Sequence, residues 1–172
     1  AQRAAEAAER FLLGEEGPEV SGLAGSAYLE QAHCLVAGRP TIDLEAEKRL
    51  QRTLLRGIKR GIIRSAHDCS EGGLLVALAE CCIGGGLGFK GGAWPKDGRI
   101  DARLFGEAQS RAVVSVDPRR ARGLAALAAK QGVTLRKLGA AEGKQFSIPG
   151  LIDLPLGDLE QAWRGGLEAS MK

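Results

Sequence analysis

Ile62-Ile63-Arg64-Ser65-Ala66-His67-Asp68-Cys69-Ser70-Glu71-Gly72-Gly73-Leu74, running on as Leu75-Val76-Ala77-Leu78-Ala79-Glu80-Cys81-Cys82-Ile83, is the stretch whose pattern decides the fold class. Ile62–Ala66 opens on two β-branched residues and predicts a short strand. His67–Gly73 is polar and ends in two glycines, which predicts a turn. Leu74–Ile83 is apolar nearly all round, so it predicts a buried helix, stopped by Gly84-Gly85-Gly86. A strand that passes through a tight turn into a buried helix needs a sheet with helices packed on it.

The flanking sequence extends that pattern in both directions. Phe11-Leu12-Leu13, Leu87–Phe89, Val133–Leu138 and Gln145–Ile148 predict further strands. Ala112-Val113-Val114-Ser115-Val116 predicts a central one, because its apolar residues fall on both faces. Asp43 reads as an N-cap with Glu45 and Glu47 in the first turn, and Ala46, Leu50, Leu54 and Ile58 follow as one apolar face up to Gly61. Asp117-Pro118 starts another helix on Ala121, Leu124, Ala125 and Ala128, ended by Gly132. Ser26 opens a short helix to about Cys34, and Pro155 opens a last one on Leu156, Leu159 and Trp163. Glu15–Gly25 and Gly91–Gly98 read as loops, and residues 1–10 as a helical or loosely ordered extension or linker before one domain, 11–172. Without a strict βαβ alternation, the fold class is α+β: a mixed β-sheet with packed helices.

Composition excludes several function classes. The 172 residues carry 24 Lys+Arg against 21 Asp+Glu, a net charge of +3, which is too small to point to nucleic acid. No run is long and apolar enough for a membrane helix. The Arg119, Arg120 and Arg122 cluster reads as a solvated face. Cys34, Cys69, Cys81 and Cys82 form no C-x-x-C pair, which suits reduced, mostly packed thiols in a cytoplasmic protein. Glycine is the outlier, 25 residues and roughly double the usual share of about 7%. The chain opens on Ala1 rather than Met, as a piece of a longer protein would.

Three segments bear candidate chemistry. In His67–Leu74, Ser70 reads as an N-cap, and Gly72 and Gly73 open the backbone N–H groups of a helix start to close approach by a phosphate. Asp68 would hold Mg²⁺ bridging phosphate oxygens, and His67 would donate to the phosphate or fix the turn. An ordinary capped strand–helix turn explains the same residues equally well. In Leu104-Phe105-Gly106-Glu107-Ala108-Gln109-Ser110-Arg111, polar groups at the start of a core strand must bind a ligand or each other, the simplest pairing being Glu107 with Arg111. In Leu23-Ala24-Gly25-Ser26-Ala27-Tyr28-Leu29, capping by Ser26 competes with a weaker anion site. No nucleophile–base pair is evident, so no catalytic residue is assigned.

Taken together, SAHDCSEGGLLVAL at Ser65–Leu78, LFGEAQSR at Leu104–Arg111 and LAGSAYLE at Leu23–Glu30 resemble formylglycinamidine ribonucleotide synthetase. The resemblance is to the second C-terminal-type domain of that enzyme's short form, within the aminoimidazole ribonucleotide synthetase superfamily, and spans about Phe11 to Trp163. It implies a fragment, inactive alone, of an ATP-dependent ligase of purine biosynthesis. That ligase converts formylglycinamide ribonucleotide, ATP and glutamine-derived ammonia to formylglycinamidine ribonucleotide. In the family's long, fused form the matching aspartate and serine serve an auxiliary ATP/ADP and Mg²⁺ site, which implies Asp68 on the metal and Ser70 on the nucleotide, beside the His67, Gly72 and Gly73 that the turn itself offers to a phosphate. Glu107, Gln109 and Arg111 are paralogous to a substrate-contacting segment of the first domain copy, with Ala108 where that segment has serine. The implied partners are the remaining synthetase domains, a separate glutaminase subunit and a small adaptor subunit. A free-standing phosphate- or nucleotide-binding module, or a structural docking domain, is the alternative.

Overall fold

The computed structural model describes residues 8–14, 20–94 and 98–170. The expectations for residues 1–7, for the loop residues 15–19 and for Pro95 lie outside these. Among the described residues, seven strands form one sheet: β1 (Ala8–Gly14), β2 (Ile63–Asp68), β3 (Phe89–Gly91), β4 (Arg111–Val116), β5 (Leu135–Ala141), β6 (Gln145–Ile148) and β7 (Ile152–Pro155). Their order is β2-β4-β1-β5-β3-β6-β7, antiparallel throughout except for the β3–β6 pair. The helices are α1 (Ala27–His33), α2 (Leu44–Lys59), α3 (Gly73–Gly85), α4 (Ile100–Phe105), α5 (Ala121–Gln131) and α6 (Leu156–Ser170). This is the α+β, mixed-sheet architecture that the sequence pattern leads one to expect.

Period-two alternation in the strands sorts the core into two layers. Phe11 and Leu13 of β1 and Val114 and Val116 of β4 face α2 and α5, meeting Leu50, Leu124 and Ala128. Leu12 and Val113 face the other way, onto Leu74, Ala77, Leu78 and Cys82 of α3, Leu104 of α4 and Leu156 of α6. All of β4 is buried, as expected of a strand with apolar residues on both faces. It pairs β2 on one side and β1 on the other, so Val113 stands opposite both His67 and Leu12.

Several local expectations are corrected. Ala8–Arg10 belong to β1 and not to a helical or loose extension. On α2 the buried stripe is Leu50, Thr53 and Gly57, one step round from the expected face, and Ile58 is 51% exposed. The cause is close packing at Gly57, where an added Cβ would lie 2.5 Å from Ile63 Cδ1. Asp43 does cap α2, accepting from the Glu45 and Ala46 amides at 2.8 and 3.1 Å, and these bonds lower its carboxyl pKa.

A short helix, α4, for which there was no expectation, precedes the polar turn into β4; six residues are too few to show helical periodicity. Pro155 closes the edge strand β7, where its missing N–H costs no ladder bond, and α6 opens directly after it at Leu156. Trp163 is 56% exposed and not part of a core stripe. Of the arginine cluster, Arg119 pairs with Asp117 at 2.7 Å, and Arg120 donates to the Arg60 and Gly61 carbonyls at the end of α2. Arg122 is exposed.

Leu78 is fully buried between α3 and the sheet, whereas Leu55 on α2 is 57% exposed. Leu78→Ala is expected to lower unfolding free energy by about 2–5 kcal/mol in urea melts. Leu55→Ala should stay within about 0.5 kcal/mol of the parent.

Candidate functional site

The three segments singled out in the sequence meet at one side chain. Glu107 lies in the turn between α4 and β4, held there by its own amide, which donates to the Gly22 carbonyl at 2.6 Å. Its Oε1 accepts from the Gly72 amide at 2.8 Å and from the Ala27 amide at 2.9 Å. One half-buried carboxylate therefore joins the N-terminus of α3 to that of α1, and an anion at a helix N-terminus is favoured by the dipole. The expected Glu107–Arg111 pair does not form. The buried Arg111 guanidinium donates instead to the Gly106 and Ala108 carbonyls, and burial pulls its pKa down from the ordinary arginine value.

Ser70 does not cap α3, contrary to expectation. β2 runs on through Asp68, and the residue before the helix is Gly72 at φ +77°, with no side-chain cap. Gly73 is required by close approach: at φ +68°, an added Cβ would lie 2.5 Å from the Gly106 carbonyl oxygen. Its amide donates to the Ser70 carbonyl at 3.0 Å. The Ser70 hydroxyl turns back onto the exposed Asp68 carboxylate, and this bond is the chief cause that lowers the Asp68 pKa.

His67 is engaged at both ring nitrogens. Nδ1 donates to the Asp68 carbonyl at 2.7 Å, and Nε2 lies 3.3 Å from Glu80 Oε2. Trp163 Nε1 donates to Glu80 Oε1 at 3.3 Å, which ties α6 to α3 beside the turn. Sequence reasoning missed this Glu80 bridge. Its one signal was that Glu80 is the only charge in Leu74–Ile83.

Beside Glu107 and Gln109 lies an open cleft of about 120 Å³, walled also by Gly22, Pro40, Ile42 and Asp43. Drug-sized and cofactor pockets are roughly 300–1,000 Å³, so this cleft fits water or a small polar group and not a nucleotide. Among the described residues, no three His, Cys, Asp or Glu side chains are grouped to hold a metal ion. Asp68 fits Mg²⁺ only as one carboxylate beside phosphate oxygens and water, which is how that ion is commonly held. Cys69, Cys81 and Cys82 are wholly or partly buried, and burial pushes Cys69 to about 11 and Cys82 to about 12; all four thiols are unpaired by disulfides.

The family model for the C-terminal domain of AIR synthase related protein matches residues 11–149. The chain belongs to this family. The PurL subunit of phosphoribosylformylglycinamidine synthase from Thermomicrobium roseum is 44% identical over 164 residues, covering 93% of this chain and 22% of the relative. The PurL subunit of a Synechococcus strain is 52% identical over 109 residues, covering 63% of this chain and 14% of the relative. This AIR synthase-type domain thus spans between a seventh and a quarter of the curated relatives it matches. The solved structure of Thermotoga maritima PurL complexed with FGAR superposes with a TM-score of 0.72 at 20% identity, covering 90% of this chain and 28% of that one. Thiamine-monophosphate kinase from Stenotrophomonas maltophilia superposes at 0.52 with 21% identity, covering 83% of this chain and 50% of that one. At these identities, the superpositions carry the fold. No helix among the described residues is long and apolar enough to cross a membrane.

Removing the shared acceptor leaves two amides unpaired. Glu107→Ala is therefore expected to cost about 2–3 kcal/mol in urea midpoints, with Glu107→Gln recovering part of the loss through its carbonyl oxygen. Asp68 has a depressed folded-state pKa, so its contribution is present above the ordinary carboxylate pKa and lost as pH falls through the folded value. Ser70→Ala should raise the Asp68 pKa toward ordinary, read by carboxyl-carbon NMR titration.

Proposed function

We propose that this domain is the last C-terminal-type domain of a formylglycinamidine ribonucleotide synthetase. In that setting it is a part of the ATP-dependent ligase that converts formylglycinamide ribonucleotide and glutamine-derived ammonia to the amidine. The observation that carries the reading is the 44% identity over 93% of this chain to a PurL subunit of which it covers 22%. A domain making up so small a share of the polypeptide contributes one piece of the catalytic assembly. This reading agrees with the site described above, where the polar groups of the three motifs mostly bind one another. The domain has no turnover alone and works with the remaining synthetase domains, a separate glutaminase and a small adaptor subunit in the cytoplasm.

The auxiliary nucleotide site of this reading centres on Asp68 and Ser70. Asp68 would hold Mg²⁺, whose charge offsets that of the nucleotide phosphates. Ser70 would turn its hydroxyl from Asp68 to the nucleotide, and His67 flanks it. The Gly72 amide is bonded to Glu107, so a phosphate would reach it only by displacing that carboxylate. Glu107, Gln109 and Arg111 act in this reading as the structural counterpart of a substrate segment.

The isolated chain should show no turnover of formylglycinamide ribonucleotide with ATP and ammonia; turnover would contradict the partial-enzyme reading. Calorimetry with Mg·ADP should show binding that Asp68→Ala weakens at least about tenfold, the scale of one lost charged contact. Equal heats from both proteins would remove Asp68 from the site.

A further inference from the structure

We propose that the ledge from Cys34 to Leu44 is the face on which the rest of the synthetase polypeptide seats this domain. This rests on the ligase reading above. Every residue from Glu30 to Glu45 is exposed, and α1 contributes no buried residue. Leu35 is 48% exposed, Val36 77%, Ile42 52% and Leu44 64%. Of the eleven residues Cys34–Leu44 only Arg39 and Asp43 are charged, Asp43 being the cap of α2, in a chain that is 26% charged. Four exposed aliphatic side chains within ten residues concentrate apolar surface of the kind that marks interaction sites.

The ledge is held in place although it is uncovered. The Gly25 amide donates to the Ala37 carbonyl at 2.8 Å, and the Leu35 amide to the Leu29 carbonyl at 3.1 Å. Beneath it, Tyr28 stacks on Phe105 at 4.8 Å, so α1 rests on α4. A surface already ordered loses little conformational entropy on docking. Pro40 and Ile42 also wall the cleft beside Glu107, so an occupant of the ledge would close that cleft.

The occupant follows from how much chain accompanies this fold. The Thermomicrobium roseum relative extends over more than four times the matched length, and in the kinase the fold is half of the chain. The seat on that larger part is an apolar patch with a carboxylate opposite Arg39.

Cys34 stands on the ledge and is exposed, while Cys69 and Cys82 are buried, so thiol labelling reads the ledge with internal folding controls. Maleimide labelling of Cys34 is followed by peptide mass spectrometry in two proteins. One is this chain alone, and the other is the Thermomicrobium roseum subunit carrying this chain in place of its matching region. Labelling should be at least about tenfold slower in the chimera, and Val36→Asp should restore the fast rate. Equal rates in the two proteins would overturn the proposal. So would labelling of the isolated chain that slows as its own concentration rises, which would make a second copy the occupant.

A second measurement does not depend on the chimera folding. Hydrogen exchange over residues 34–44 should slow when the truncated relative is added to the isolated chain; unchanged exchange would overturn the proposal. Chimera turnover separates the two readings. Turnover with fast Cys34 labelling contradicts the ledge alone, and protected Cys34 without turnover contradicts the ligase reading alone.

Discussion

A single carboxylate oxygen shared by two helix starts is the constraint around which the candidate site is built. Glu107 Oε1 accepts from Gly72, 35 residues away in sequence, and from Ala27, 80 residues away. α3 has only glycine at its N-cap and no side-chain cap, and the Gly72 amide just before the helix needs an acceptor from elsewhere. Glu107 supplies that acceptor from the far side of the fold and fixes α1 with the same atom. The glycines of the turn follow from this arrangement, since Gly73 must let the Gly106 carbonyl approach. Arg111 braces the turn from below through the carbonyls of Gly106 and Ala108.

This geometry changes what the glycine-rich turn means. A helix N-terminus with a free amide attracts phosphate, but here the amide already faces an anion. The charge balance of the site includes Glu107 before any ligand arrives. Asp68 and Ser70 lie outside that arrangement, exposed at the end of β2, and make a chemically separate pair. The two halves of the HDCSEGG segment thus serve different ends. Its glycines hold the fold together, and its carboxylate and hydroxyl face solvent.

Much of the architecture was legible in the sequence because it rests on local signals. Asp43 and Gly132 delimit their helices, the β4 run shows burial on both faces, and the apolar run of α3 shows a core helix. The failures share one cause, which is dependence on how neighbouring elements pack. The face of α2 is set by Gly57 against Ile63, and α4, anchored in the core by Leu104, is too short to show a helical period. All three motif segments could be found in advance, but not their convergence. The local rule pairs Glu107 with Arg111, and tertiary packing sends each to a different backbone group.

The central claim is that Glu107 holds the Gly72 amide, and amide hydrogen exchange followed by NMR tests it at that atom. Exchange at Gly72 should be slowed about a hundredfold or more relative to an unstructured chain, and Glu107→Ala should abolish that protection while amides in the middle of β4 stay protected. Exchange at the unstructured rate in the parent protein, or protection that survives Glu107→Ala, would contradict it.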